Sequence, residues 1–145
     1  MTRHPETIAA AVRARGFALP TDVEEVVTLA AETNSPMAYA MVGDLIQLLQ
    51  DTSQYELSDA EAAYLRAVSV DPSYGEGYTS LGYFYDAVLN DPHRARPFFE
   101  KAIAFGDPEA REGLSAVLER IGARPRDPLD RRKRIQRARK GRGHG

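Results

Sequence analysis

Apolar residues recur along most of this chain at steps of three and four, the spacing that gathers them on one face of an α-helix. Ile8 and Val12 show it early, and Ala60, Tyr64 and Ala67 or Ala95, Phe99 and Ala102 show it later. The punctuation agrees. Thr21-Asp22-Val23-Glu24, Ser58-Asp59-Ala60-Glu61 and Ser73-Tyr74-Gly75-Glu76 read as capping boxes. Asp91-Pro92, Asp107-Pro108 and Asp127-Pro128 each offer an aspartate cap with proline in the first turn. Gly16, Gly106 and Gly122 fall where helices would stop. The pattern predicts seven helices, over about 5–15, 22–33, 36–50, 59–69, 74–89, 92–105 and 108–121, with an eighth near 128–140.

One stretch strains that reading. Asp71 to Tyr85, DPSYGEGYTSLGYFY, carries three glycines among four tyrosines, and a glycine costs a helix interior about 1 kcal/mol relative to alanine. A repeat accounts for it. Ala60, Tyr64, Ala67 and Pro72 are followed by Tyr78, Leu81, Gly82 and Tyr85. This resembles the tetratricopeptide pattern, A-x3-F-x2-A-x4-P joined to W-x2-L-G-x2-Y, with tyrosine in place of tryptophan and phenylalanine. Tyr39, Val42, Gly43 and Ile46 form an earlier half-match, and Leu114, Ser115 and Leu118 a degenerate third start. Pro36, Pro72 and Pro108 lie thirty-six residues apart.

The resemblance covers about Pro36 to Leu118 and departs from regularity in its links. The loop QDTSQYEL adds about five residues to the first repeat, the second is one longer before Ala95, and the link from Ala102 to Leu114 is about two shorter. The resemblance implies an all-α fold, a short αα-hairpin solenoid. Gly82 would sit inside a helix where a paired helix approaches, while Gly75 and Gly77 loosen an early, exposed turn. Residues 1–35 form a helical pair, with Ile8, Val12, Phe17, Val23, Val26, Val27 and Leu29 capping the first repeat's apolar edge. Residues 36–122 form the repeats, and 123–145 a basic, flexible tail.

Composition narrows the classes. No apolar run approaches the roughly 18 residues of a membrane span, and MTRHPETIAA lacks the apolar centre of a signal peptide. The chain has no cysteine, which excludes disulfides, thiolate metal sites and cysteine catalysis and leaves the cytoplasm as the expected compartment. His4, His93 and His144 are scattered, without the i, i+4 pairing of a zinc helix. No nucleophile elbow or phosphate loop is present. The expectation is therefore a protein that is not an enzyme and holds no cofactor or metal.

Charge separates the chain into two parts. From Arg124 onward ten Lys/Arg face two Asp/Glu, a net +8, while residues 1–123 carry nine basic and nineteen acidic residues, a net −10. In tetratricopeptide proteins the first helix of each repeat lines a concave groove. Carried onto this chain, that rule places Met37, Ala40, Asp44 and Gln47 in the groove, then Glu76, Thr79, Tyr83 and Asp86, then Glu109, Glu112 and Glu119. The expected partner-binding residues are Asp44, Gln47, Glu76, Thr79, Tyr83, Asp86, Glu109 and Glu112. Such a groove suits a basic or mixed peptide or protein surface, and the expected function is an adaptor, scaffold or inhibitor.

Two other readings stay open. The tail cations Arg131, Arg132, Lys133, Arg134, Arg137, Arg139 and Lys140 could neutralise phosphates of a nucleic acid without reading sequence, although no aromatic residue interleaves them. The acidic body could equally cover the cationic site of a toxin, as an immunity protein does. The tail could also fold back onto the acidic groove.

Overall fold

The computed structural model describes residues 3–123, which form seven α-helices. These are α1 (Pro5–Arg15), α2 (Pro20–Thr33), α3 (Pro36–Gln47), α4 (Leu57–Val70), α5 (Gly75–Tyr83), α6 (Pro92–Ala104) and α7 (Ala110–Ala123). Five π-helical residues, Phe84–Val88, continue α5. Among the described residues no strand forms. Ala18 and Leu49 make an isolated parallel bridge, and the Ala18 N–H donates to the Leu48 carbonyl at 2.9 Å.

The helix starts follow the sequence with informative displacements. Ser35 caps α3 through its hydroxyl and Asp91 caps α6 by accepting the Arg94 N–H at 3.1 Å. The first two expected capping boxes are each shifted two residues toward the N-terminus. Leu19 rather than Thr21 is the cap of α2, and Asp22 reaches back to accept the Leu19 N–H at 2.9 Å. Glu56 rather than Ser58 precedes α4, with Asp59 accepting its N–H at 2.8 Å. In both cases the third-position acid satisfies a backbone donor that the helix leaves open. Ser73 does not cap α5; it closes a turn on Asp71, whose Oδ1 accepts its N–H and hydroxyl.

Two expected stops hold. Gly16 (φ 85°) and Gly106 (φ 89°) adopt left-handed backbone, which other residues enter only at a cost. Gly122 does not stop α7, which runs through it to Ala123. Asn34 and Asn90 supply two further left-handed positions that glycine-based reasoning overlooks.

One contiguous core runs from Ile8 to Ile121. The pairs α3–α4, α5–α6 and α6–α7 pack closely, α2 lies on α3, and α4 also touches α5. In addition, α3 touches α5, and α5 touches α7. Ile8, Val12, Val23 and Val26 join the core as expected, whereas Phe17 and Leu29 are half-buried and Val27 is exposed.

Glycine sets the closest approaches. A Cβ on Gly82 would lie 2.7 Å from ring atoms of Phe99, and one on Gly43 would lie 2.6 Å from the Tyr64 ring. Gly113 of α7 faces the same Phe99 ring, so that ring occupies a slot between α5 and α7. The third helix start is therefore shifted from the expected one. Ala110, Gly113, Val117 and Ile121 form the buried stripe of α7, while Ser115 and Leu118 are exposed. Gly77 is also buried, and a Cβ there would meet Val68 Cγ1 at 2.8 Å; it is a packing position, not an exposed turn.

Candidate functional site

Because α3 touches α5 and α5 touches α7, these helices can carry a shared surface across the molecule. Two tyrosines on this side sense nearby acids, with Asp107 acting on both. Burial raises the pKa of Tyr74, and the carboxylates of Glu76, Asp44 and Asp107 raise it further. Tyr83 behaves alike: burial acts first, followed by Glu112, Glu109, Asp107 and Asp86. A phenol whose pKa is raised by several carboxylates marks a region of negative potential. That region includes Asp44 on α3, Glu76 and Tyr83 on α5, Glu109 in the turn before α7 and Glu112 in its first turn.

The expected site residues take different roles within it. Asp44 is accessible to solvent yet crowded by the surrounding helices, and that crowding raises its carboxyl pKa against the opposing pull of a hydrogen bond. The bond comes from Tyr64, whose buried hydroxyl donates to Asp44 Oδ1 at 2.6 Å and accepts from Gln47 Nε2 at 2.6 Å. Asp44 and Gln47 thus share one anchor, the ring that fills the space above Gly43. Glu76 is exposed, and its Oε2 accepts from the Tyr74 hydroxyl at 3.1 Å. Glu109 and Glu112 are exposed; Glu109 lies in the turn before α7 rather than in the helix.

Tyr83 is the apolar centre of the face. Its ring meets Phe99 edge-on at 5.0 Å between centroids, so it is held from behind while the residue stays 42% exposed. Met37 is also exposed, and Ala40 is buried.

Two expected site residues are committed to the fold. Thr79 is buried and donates to Asp107 Oδ2 at 2.6 Å, which ties α5 to the turn before α7. Asp86 is buried in the π-helical turn and pairs with Arg120, which also donates to the Asp86 carbonyl at 3.2 Å and to Asn90 Oδ1. Neither is open to a ligand in this arrangement. The π turn helps make that pairing possible: Leu89 N–H bonds back five residues to Phe84, and Asp86 sits inside this wider turn. The tail residues Arg131, Arg132, Lys133, Arg134, Arg137, Arg139 and Lys140 lie outside the described residues.

Sequence reasoning missed Tyr74 and Asp107 as members of this face. Both stand at helix starts, where the pattern reads them only as turn and cap residues. It also missed a charged cluster that joins α1 to α2. Asp22 is 0% exposed and receives Arg3 Nη2 at 2.7 Å and Arg15 Nη2 at 3.1 Å, while Arg3 also pairs with Glu25. Burial alone would raise the Asp22 pKa, but the Leu19 N–H and the two guanidinium groups together hold it below the usual value. Every charge here is matched within the chain, so the cluster fastens α1 to α2.

Among the described residues no group of three or more His, Asp or Glu is placed to hold a metal ion, and no helix is long and apolar enough to cross a membrane. His4 accepts the Glu6 N–H at the start of α1. No protein-family model matches the chain, and no curated protein matches it.

Proposed function

We infer that this chain is a non-catalytic protein-interaction module of tetratricopeptide-like helical-repeat type, acting in the cytoplasm, whose acidic tyrosine face receives a basic or mixed peptide. The observation that carries the reading is Tyr83: an aromatic ring braced from behind by Phe99, exposed in front, and set near Glu112, Glu109 and Asp107. An exposed ring among carboxylates suits a lysine or arginine side chain. The ring takes the aliphatic stem and the cation over its face, and the carboxylates take the charge. Aromatic anchors contribute more to binding than rim charges do. The face therefore needs Tyr83 for affinity and the acids for selection of a basic partner.

A fluorescein-labelled peptide alternating arginine with leucine tests this against the full chain. Tyr83→Ala should weaken its binding at least about tenfold, in the range of an interface anchor. Glu109→Gln with Glu112→Gln should weaken it less and flatten its salt dependence. Binding that ignores both changes, or no binding at low salt, would overturn the reading.

A further inference from the structure

We propose that α1 is a charge-latched strap: it swings off as one unit about Gly16 and Phe17 while α2–α7 stay folded, and the Arg3–Asp22–Arg15 cluster holds it shut. The proposal does not rest on the reading of the acidic face.

Three observations carry it. The first is a thin apolar anchor. In α1 only Ile8 and Val12 are buried, one turn apart, whereas every other helix buries at least four residues. The close helix pairs link α2 through to α7, and α1 packs more loosely than any of them. A helix with so few buried apolar side chains opens at a lower free energy than the core it lies on. The second observation is where the charges attach. Arg3 stands just before α1 and Arg15 is its last residue, yet both guanidinium groups reach the Asp22 carboxylate on α2, at 2.7 and 3.1 Å. Because α1 is about 17 Å long at 1.5 Å per residue, the two attachments bracket its whole length. Arg3 adds Glu25, also on α2, at 3.0 Å.

The third observation is a hinge beside a pin. Gly16 takes left-handed backbone, and a Cβ there would meet nothing within 4 Å, so the chain has room to turn at this point. Two residues on, Ala18 is buried and bridged to Leu49, and its N–H donates to the Leu48 carbonyl at 2.9 Å. The backbone is thus fixed to the link after α3 from Ala18 onward, while Gly16 moves with α1. Arg15 spans this joint, because it also donates to the Phe17 carbonyl at 3.0 Å. On opening, Arg3, Arg15 and Glu25 return to water that each already meets over about a third of its side chain. Asp22 keeps the Leu19 N–H, so α2 stays capped. The open form bares Ile8 and Val12 as an apolar stripe and leaves α3, α5 and α7 in place.

Amide hydrogen exchange on the full chain near pH 7 tests this. In wild type the amides from Ala9 to Arg15 should share one protection factor, at least about tenfold below those of Tyr64 and Phe99. Protection graded from one end of α1 to the other would mean fraying and would overturn the unit. Protection equal to that of Tyr64 and Phe99 would overturn it as well. Arg3→Gln with Arg15→Gln should lower the protection of α1 by at least about tenfold, because the charge-assisted bonds to Asp22 are lost. No change would overturn the latch. Gly82→Ala separates local from global opening, since it loosens the packing around Phe99. It should speed exchange at Phe99 and leave the amides of α1 unchanged. If it speeds them by the same factor, α1 leaves only when the whole molecule unfolds, and the proposal fails.

Discussion

Phe99 is where three helices meet. Its ring projects from α6 into a slot bounded by Gly82 of α5 and Gly113 of α7, and its edge braces Tyr83. A methyl group at Gly82 would gain up to about 1 kcal/mol of helix propensity but would have to displace a ring that has no free side to move toward. Overpacking a tight core costs about 1–3 kcal/mol, so the clash outweighs the propensity gain. Gly82→Ala and Gly113→Ala should each lower the denaturation midpoint, and their effects should not add. Both methyls press on the one ring, which cannot retreat from either without meeting the other wall of the slot, giving a coupling of at least about 0.5 kcal/mol. Additive losses in urea denaturation would show that the two glycines do not share the ring.

The residue scale also sets the pH behaviour. Asp22 has a folded pKa below its ordinary value, so its contribution is complete above about pH 4 and is lost as pH falls through the folded pKa. Arg3 and Arg15 keep about a third of their side chains exposed and can rehydrate, so breaking the cluster costs less than breaking a fully buried pair. Asp22→Asn should destabilise by about 1.5–3 kcal/mol at pH 7, and the gap to wild type should shrink as pH falls below 4. A gap unchanged down to pH 2 would contradict the assignment. Asp44 has the opposite sign. Its raised pKa means that stability is lost as pH rises through the raised value, a cost of placing a carboxylate on a crowded face.

Among the elements, the link between α3 and α4 carries the residues that the sequence pattern leaves over. Its extra residues, Gln50 to Leu57, read as a free surface loop, yet Tyr55 within it and Leu49 just before it are anchored. Leu49 is buried and bridged to Ala18, and Tyr55 packs against the core. Thr52, Ser53 and Gln54 are exposed. Deleting those three should leave the far-ultraviolet helix signal intact, since loop length changes closure entropy only slowly. Tyr55→Ala should lower the thermal midpoint by several degrees, as loss of a partly buried aromatic does. The reverse ranking would show that the loop tip, not Tyr55, holds α3 to α4.

Seven helices were legible in the chain because apolar spacing marks them, and proline starts reinforce it at Pro36 and Pro92. Gly82 was legible because the repeat spacing places it opposite Phe99. Gly113 was not, because Leu114 and Leu118 offer a competing apolar register, and only packing on Phe99 selects between them. Tyr83, Glu76, Glu109 and Glu112 were readable as exposed positions. The withdrawal of Asp86 was not, since it depends on Arg120, thirty-four residues away, reaching into a π turn that no local pattern marks. Asp22 was read as part of a cap, and its arginine partners come from α1 and the residues before it.

Over the whole molecule, charge is sorted along the sequence: residues 1–123 carry a net −10, and residues from Arg124 onward a net +8. Affinity for a basic peptide should therefore fall steeply with salt, because most exposed pairs are screened beyond about 8 Å at physiological ionic strength. The residual affinity in high salt should belong to Tyr83. We propose that a basic peptide sits on the face built by α3, α5 and the start of α7. The most direct measurement is a titration of the isotope-labelled full chain with the arginine–leucine peptide, read residue by residue from amide shifts. The account predicts the largest changes at Glu76, Tyr83, Glu109 and Glu112, smaller ones at Asp44 and Gln47, and none at the Arg3–Asp22–Arg15 cluster. Changes centred on α1 and α2, or spread evenly over the surface, would contradict it.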